Sequence, residues 1–387
     1  MLERLKVRGF KSLVDVEIVF PQLAVLFGPN AAGKSNLLDS IQALSRIGTS
    51  RTISEALTDA SRGYPIEAFS FPPGGLTKLL SQRSATFQLS SNLKVGQDLY
   101  GHSIVVQIEP SSGSLTVDRE SFQLLSSDRE IDHEPLGEAN DHSFLATARP
   151  EDPDAFKCQQ ELLGWRTYYL DPRVAMRRAT SPAERQDIGA LGEDIAPFLY
   201  RLRAKDERRF RAVVRTLKTL IPSVEHLDVD LDKRRGTLDI LIRQNGVDYS
   251  SRIISEGTLR VLALCAIAVN PWSGSLLAFE EPENGVHPRR LELIADLLVG
   301  MAMQGKQVVV TTHSPLLCDA MLLLAQSHPG VIGLLRVKQT HRGTDVCPVD
   351  LASPLFQDAE LVKAFTTGTE PSLAASIEDL RRALRLS

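Results

Sequence analysis

The stretch LAVLFGPNAAGKSNLL, residues 23–38, passes from an unbroken apolar run through a loop of small residues into Leu37, Leu38, Ile41 and Leu44 at helical spacing. Inside it Gly28–Ser35 fits GxxxxGK[ST], with a strand-like run before it and a helix-like run after it. That context turns the pattern into a candidate phosphate site. The loop of Gly28, Pro29, Asn30, Ala31, Ala32 and Gly33 would wrap the phosphates with its backbone N–H groups and the helix N-terminus. Lys34 would reach the outer phosphates, Ser35 would hold Mg²⁺, and Asn36 follows in the first helical turn. The alternative is a Gly-rich turn ahead of an ordinary helix.

Working outward, Leu2–Arg8 and Val14–Phe20 also read as strands, so the chain opens as a nucleotide-binding α/β domain. From about Ile53 to Ala155 the pattern loosens. Short alternating runs at Ala85–Leu93 and Ile104–Ile108 suggest antiparallel strands in an accessory lobe, and an acidic, turn-rich piece spans Asp128–Asp154. Two helices are expected next, Glu193–Arg203 and Asp206–Leu220, the second with Asp206 as N-cap and Pro222 as stop. Strands at Leu227–Leu231 and Leu238–Ile242 lead to a helix at Ile254–Val269, a strand at Leu276–Phe279, a helix at Arg290–Met303 and a strand at Gln307–Thr311. That alternation implies parallel β-α-β connections and a sheet covered on both faces.

Two of these strands end in chemistry-bearing residues. LLAFEEPENGVHP, Leu276–Pro288, places Glu280 and Glu281 side by side at the end of an apolar run. Delivered to a phosphate site, Glu281 would orient and deprotonate a water, while Glu280 would lie beside the metal or ligate it. A nearby cation would relieve the repulsion between two adjacent acids. A polar strand end stopped by Pro282 is the other reading. VVVTTHSP, Val308–Pro315, ends in His313, which could contact a γ-phosphate or be structural.

Composition sets broad bounds. The chain has 387 residues, 43% of them hydrophobic and 24% charged, with a net charge of -4. That is ordinary for a globular protein and leaves a local basic face open as a nucleic-acid contact. Cys158, Cys265, Cys318 and Cys347 are far apart with no CxxC pair, and read as reduced thiols of a cytoplasmic protein. The opening MLERLKVRGFKSL reads as a strand and not as a signal peptide, and no apolar run is long enough to span a bilayer.

Taken together, RLKVRGFKSL, GPNAAGKS, WRTYYLDP (Trp165–Pro172), LGEDIAPFLYRL (Leu191–Leu202), ISEGTLRVLAL (Ile254–Leu264), LLAFEEPENGVHP and VVVTTHSP resemble an ABC-type ATPase head of the SMC/RecF-like kind, in particular the compact RecF-like ATPases of bacteria. The resemblance runs over nearly the whole chain. It implies a P-loop NTPase fold: an ABC-ATPase head with a mixed, largely parallel central sheet, an antiparallel β lobe and an inserted helical lobe. One head would fill residues 1–387, with a nucleotide-binding core of 1–50 and 225–350, inserted lobes at 51–224 and tail helices at 351–387.

The resemblance also implies roles. Gly28–Ser35 would be Walker A, Leu276–Glu281 Walker B, and Ser255, Glu256, Gly257 and Thr258 the signature that meets a nucleotide bound by the opposite subunit. Ser255 fits equally well as the N-cap of its own helix. Lys11 and Ser12 would lie near the nucleotide, and Asn284, Gly285 and His287 would form a D-loop at the dimer seam. ATP and Mg²⁺ are the implied cofactors, ATP hydrolysis the implied reaction, and a homodimer closed across ATP the implied assembly. Glu280 stands where the family has aspartate, and the signature lacks the second glycine of transporter subunits. Gln82, Gln88 and Gln107 are open candidates for the Q-loop.

The tail after His313 is expected to be too short for the TOPRIM nuclease domain that overcoming-lysogenization-defect nucleases attach to such a head. The Arg- and Lys-rich stretch Arg173–Lys218 is either a solvated helical face or a track for a DNA backbone. The expected process is DNA repair or another DNA-associated one. The alternative is control of a separately encoded nuclease or toxin, docked on the acidic piece at Asp128–Asp154 or on the tail from Asp358.

Overall fold

A computed structural model describes residues 1–60, 63–126 and 140–350. The tail helices expected at 351–387, and residues 127–139 of the acidic piece, lie outside the described residues. Contacts divide the chain into two units. The first takes Met1–Trp165, Gly274–Leu276 and the residues from Gly333 on; the second takes Arg166–Ser273 and Leu277–Ile332.

In the first unit the chain starts with β1 (Leu2–Phe10), β2 (Leu13–Val19) and β3 (Leu23–Phe27), then α1 (Lys34–Ile47), α2 (Ile53–Ala60) and α3 (Gly75–Leu80). Next come β4 (Ala85–Val95), β5 (Asp98–Glu109), β6 (Ser114–Leu124) and α4 (Pro153–Leu163). β1 and β2 alternate buried and exposed residues, as one-faced strands do, and they join an antiparallel sheet in the order β2-β1-β4-β5-β6. β3 is buried at every position, the mark of a strand covered on both faces. The expected antiparallel strands are present, in one sheet with β1 and β2. β6 and the helices α2, α3 and α4 were not foreseen, because short helices leave little periodicity to read. α4 does carry the usual start signals, Asp152 capping Ala155 N–H and Pro153 in the first turn.

The second unit begins with β7 (Arg166–Tyr168), followed by α5 (Ile195–Lys205), α6 (Glu207–Leu220), β8 (Val224–Asp232), β9 (Thr237–Gln244), β10 (Val247–Ser250) and α7 (Glu256–Val269). β11 (Leu276–Glu280), α8 (Leu291–Met303), β12 (Gln307–Thr312) and α9 (Pro315–Ser327) complete it. β12, β11 and β7 lie in that order, with β7 and β11 parallel. β12 is buried along its whole length and β11 up to Glu280, which explains their continuous apolar sequence. β10-β9-β8 form a small antiparallel sheet, turning at Asn245-Gly246. Asp206 caps α6 as expected, accepting from Arg209 N–H at 3.0 Å.

The chain then returns to the first unit with β13 (Ile332–Thr340) and β14 (Gly343–Pro348), an antiparallel hairpin whose β13 neighbours β3. No helix among the described residues is long and apolar enough to cross a membrane.

Candidate nucleotide site

The loop between β3 and α1 has the backbone its sequence calls for. Gly33 has φ 101°, and a Cβ there would fall 2.1 Å from Thr344 Oγ1 and 2.9 Å from Ser12 Oγ, so glycine is required both by conformation and by space. Ala31 also lies in the left-handed region, with φ 61°. Lys34 is 5% exposed, and its ammonium donates to the carbonyls of Gly28 (2.8 Å) and Pro29 (2.9 Å), bent back over its own loop. Ser35 and Asn36 follow in the first turn of α1.

Lys11 and Ser12 are tied to the same turn. Lys11 has φ 49°, and its Nζ donates to Asp39 Oδ2 of α1 at 2.7 Å, where Asp39 is almost fully buried. Ser12 Oγ accepts from Asn36 Nδ2 at 2.8 Å and shares a hydrogen bond with Thr344 Oγ1 at 2.7 Å. Beside these residues opens a cavity of about 1250 Å³, lined by Lys11, Ser12, Ser35, Asn36, Phe69, Phe71, Gln82, His341 and Arg342. Its lining mixes polar side chains with Phe69 and Phe71, which suits a nucleoside-sized group. Gln82 lines that cavity, whereas Gln88 bonds Ser90 and Ser103 inside the β lobe and Gln107 is a residue of β5. The part played by Phe69, Phe71 and the β13–β14 turn was not foreseen, because nothing in the sequence links them to the loop.

In the second unit, Glu280 ends β11 and Glu281 turns out of it with φ 43°. Holding a glutamate there costs on the order of 1–3 kcal/mol, which the surroundings must offset. They do so with several bonds. Glu281 N–H donates to Thr311 O of β12 at 3.0 Å, Glu281 Oε2 accepts from Asn284 Nδ2 at 2.7 Å, and Glu281 Oε1 lies 2.9 Å from His313 Nδ1. His313 and Asn284 thus fix the direction of the carboxylate, an arrangement able to hold a water for in-line attack. Among the described residues four non-glycine residues have positive φ: Lys11, Ala31 and Glu281, and Asn245 in the β9–β10 turn.

Glu283, two residues on, was not singled out from the sequence although it lies inside the quoted EEPENGVHP. It is 6% exposed, and one oxygen accepts from the Thr312 hydroxyl just before His313. Its other oxygen, and Nε of Arg260 in α7, are buried with no hydrogen-bond partner among the described residues, the two side chains attracting each other as charges. Burial raises the Glu283 carboxyl above its ordinary range, and the Thr312 hydroxyl offsets only part of this. An acid raised in the folded state costs nothing while both states are protonated; the cost grows as pH rises from the unfolded value toward the folded one. Glu283→Gln is therefore expected to raise the melting temperature by about 1–3 °C at neutral pH. That gain should vanish as pH falls to the ordinary value of 4.5. Thermal melts across that range check it, and a pH-independent change would assign the effect to packing instead.

The segment Ser255–Thr258 starts α7. Ser255 is its N-cap, with Oγ accepting from Thr258 N–H at 3.2 Å and bonded to Thr258 Oγ1 at 2.8 Å. Gly257 packs so closely on the turn after β11 that a Cβ would fall 2.2 Å from Gly285 O. Gly285 (φ 73°) therefore sits against the Ser255–Thr258 segment of its own chain. His287 is exposed and caps the short turn Pro288–Arg290.

Comparison with known proteins now adds to this geometry. The family model described as "AAA domain, putative AbiEii toxin, Type IV TA system" matches residues 23–319. The chain belongs to that family. The AAA domain resembles two solved head structures. One is "Crystal structure of the SmcHead bound to the C-winged helix domain of ScpA", with TM-score 0.57 and 17% identity, covering 91% of this chain and 98% of that one. The other is the Smc head domain with an extended coiled coil bound to the C-terminal domain of ScpA derived from Pyrococcus furiosus, with TM-score 0.54 and 16% identity, covering 93% and 99%. At these identities the likeness shows the fold, that of an ABC-type P-loop ATPase head.

Among curated relatives, DNA replication and repair protein RecF of Ligilactobacillus salivarius (strain UCC118) is 46% identical over 52 residues, 13% of this chain and 14% of that protein. Nod factor export ATP-binding protein I of Rhizobium meliloti (strain 1021) is 28% identical over 125 residues, 31% and 33% of the two chains. The AAA domain thus spans a third or less of the length of these two relatives.

The first unit fits its implied group. The Gly33 backbone, the ammonium of Lys34 and the adjoining cavity suit a nucleoside triphosphate. Among the described residues no group of three or more His, Cys, Asp or Glu could hold a metal ion. In the first unit the Ser35 hydroxyl, and in the second the carboxylate that ends β11, are each single oxygen donors of the kind Mg²⁺ accepts, since it takes much of its coordination from substrate phosphates and water.

Proposed function

We propose that the protein is an ATP-hydrolysing switch in which two copies close on two ATP molecules and reopen after hydrolysis. The loop Gly28–Ser35 and Lys34 bind the triphosphate, Ser35 with Glu280 serves Mg²⁺, and Glu281 activates the water. Ser255–Thr258, on which Gly285 packs, meets the nucleotide of the second copy together with Asn284 and His287. The observation that carries this reading is the Glu281 carboxylate, held in a strained turn and oriented by both His313 and Asn284. Such placement is unneeded for a simple strand end but suits a general base. Mg²⁺, when bound, would neutralise charge developing on the phosphates. His313 keeps Glu281 aimed, and Asn284 holds the other oxygen so that one lone pair stays free for a water proton.

ATP turnover with and without duplex DNA, at two salt concentrations, tests what the switch acts on. A DNA contact is supported by α6, where Arg208, Arg215 and Lys218 follow at helical spacing along the exposed face, opposite buried Phe210, Val213, Leu217 and Leu220. Other cations of the basic stretch have partners at home. Arg203 pairs with Asp228, Arg185 with Asp194, Arg201 stacks on Trp272, and Arg211 bonds Glu207. Reversing Arg208, Arg215 and Lys218 to Glu together is expected to weaken duplex binding and to lower the salt-dependence slope by roughly 3, about one for each phosphate left without its cation. An unchanged slope, or turnover indifferent to DNA, would favour the other reading: control of a separate effector protein, in keeping with the toxin–antitoxin wording of the family description.

A further inference from the structure

The second unit carries an arginine arrangement that the scheme above does not use. Asp171 gathers the turn after β7, its carboxylate accepting the N–H groups of Arg173, Val174 and Ala175 at 3.0, 3.1 and 3.3 Å. Burial would raise that carboxyl, but the three N–H donors hold it below its ordinary range, so the turn is fastened by a full negative charge.

Arg177, at the end of the same turn, bolts it to the chain just ahead of the signature segment. Its Nε donates to Pro172 O at 2.7 Å. Its Nη1 reaches Ser251 O (2.9 Å) and Arg252 O (2.6 Å), and its Nη2 reaches Ile254 O (2.7 Å). One planar guanidinium thereby joins residues 171–178 to residues 251–254, and Ser255 follows directly. The two pieces of chain present a common surface.

On that surface stands Arg173. Its side chain is 77% exposed, and its Nε bonds both oxygens of Glu256, itself 43% exposed, at 3.0 and 3.1 Å. Among the described residues the two Nη groups of Arg173 have no hydrogen bond. An exposed ion pair of this kind contributes little, so Glu256 holds the guanidinium loosely in place beside Ser255. A phosphate, more highly charged and matched to the guanidinium fork, takes it over readily.

We propose that Arg173 acts in trans as an arginine finger, donating its Nη groups to the terminal phosphates of the ATP bound by a second copy of this chain, with Arg177 as the residue that positions it. This rests on the dimer reading given above. Where the signature segment meets the partner's nucleotide, Arg173 arrives with it and neutralises charge on the γ-phosphoryl as the bond to the leaving oxygen breaks. Glu256 is released on closure and takes the guanidinium back on opening.

The test uses mixed chains. Arg173→Ala alone should bind a fluorescent ATP analogue within about twofold of the unaltered chain yet lose at least ~100-fold in turnover. Arg173→Lys, which keeps the charge and loses the fork, should recover only part of it. Glu281→Gln alone should also be inactive. In an equimolar mixture, half the dimers are mixed, and each holds one site with an intact Glu281 facing an intact Arg173. Turnover should then return to roughly a quarter of the unaltered rate. An arginine acting on its own chain's nucleotide predicts no recovery at all.

Unaltered turnover in Arg173→Ala overturns the assignment, as does a mixture that stays inactive while Glu281→Gln still forms an ATP-dependent dimer. Lost duplex affinity with unchanged turnover would overturn it in favour of a nucleic-acid contact. If Glu281→Gln forms no dimer with ATP, the dimer reading itself fails, and the two failures are thus told apart.

Discussion

Glu281→Gln is expected to lower ATP turnover by about 10²–10⁴-fold while leaving nucleotide affinity nearly unchanged. The physical reason lies in what the substitution preserves. Glutamine is nearly the same size and keeps an oxygen that can accept from one neighbour, so the turn at Glu281 and its bond to Thr311 O survive. It cannot accept a proton. The amide also removes the charge that draws the His313 ring, 2.9 Å away, so the aim of both side chains loosens. A steady-state assay with a parallel equilibrium-binding measurement checks it. A drop in affinity equal to the drop in rate would assign Glu281 to binding instead of to proton transfer.

Lys34→Ala has the other large expected effect, on binding. Lys34 is almost fully buried and its ammonium already sits over the loop, held by the carbonyls of Gly28 and Pro29. Those neutral acceptors are weaker partners than phosphate oxygens, so the ammonium transfers to a bound nucleotide without rebuilding the loop. Charge-assisted hydrogen bonds of this kind are worth about 1.5–3 kcal/mol each. Losing one or two should weaken ATP binding by about 10²–10³-fold, with ADP affected less if the bond is mainly to the outer phosphate. Isothermal titration with ATP and ADP measures this. Equal losses for ATP and ADP would assign Lys34 to the inner phosphates, and no loss would remove the loop from the site.

Much of this was legible in the sequence because several residues leave a strong local signature. The uninterrupted apolar runs of β3, β11 and β12 announce strands covered on both faces, and the loop pattern at Gly28–Ser35 identifies one strand end. Asp206 and Ser255 were readable as caps because N-capping depends on only three neighbouring residues. What the sequence hid depends on distant chain meeting distant chain. Thr344 closes on Gly33, and Arg177 on residues 251–254, across separations that no periodicity encodes. Glu283 was passed over for a different reason: in sequence it is one more acid in a polar turn, and only its burial beneath Thr312 marks it. The basic run Arg173–Lys218 looked uniform and is not, since Arg177, Arg201 and Arg203 are consumed by internal contacts while one face of α6 stays open to solvent.

The most direct measurement is the mass in solution of the Glu281→Gln chain, by light scattering or sedimentation, with Mg²⁺ present and ATP either added or withheld. With ATP the expected mass is that of two chains, and without it that of one. A single-chain mass at saturating ATP, in a sample that demonstrably binds the nucleotide, would contradict closure of two copies on ATP.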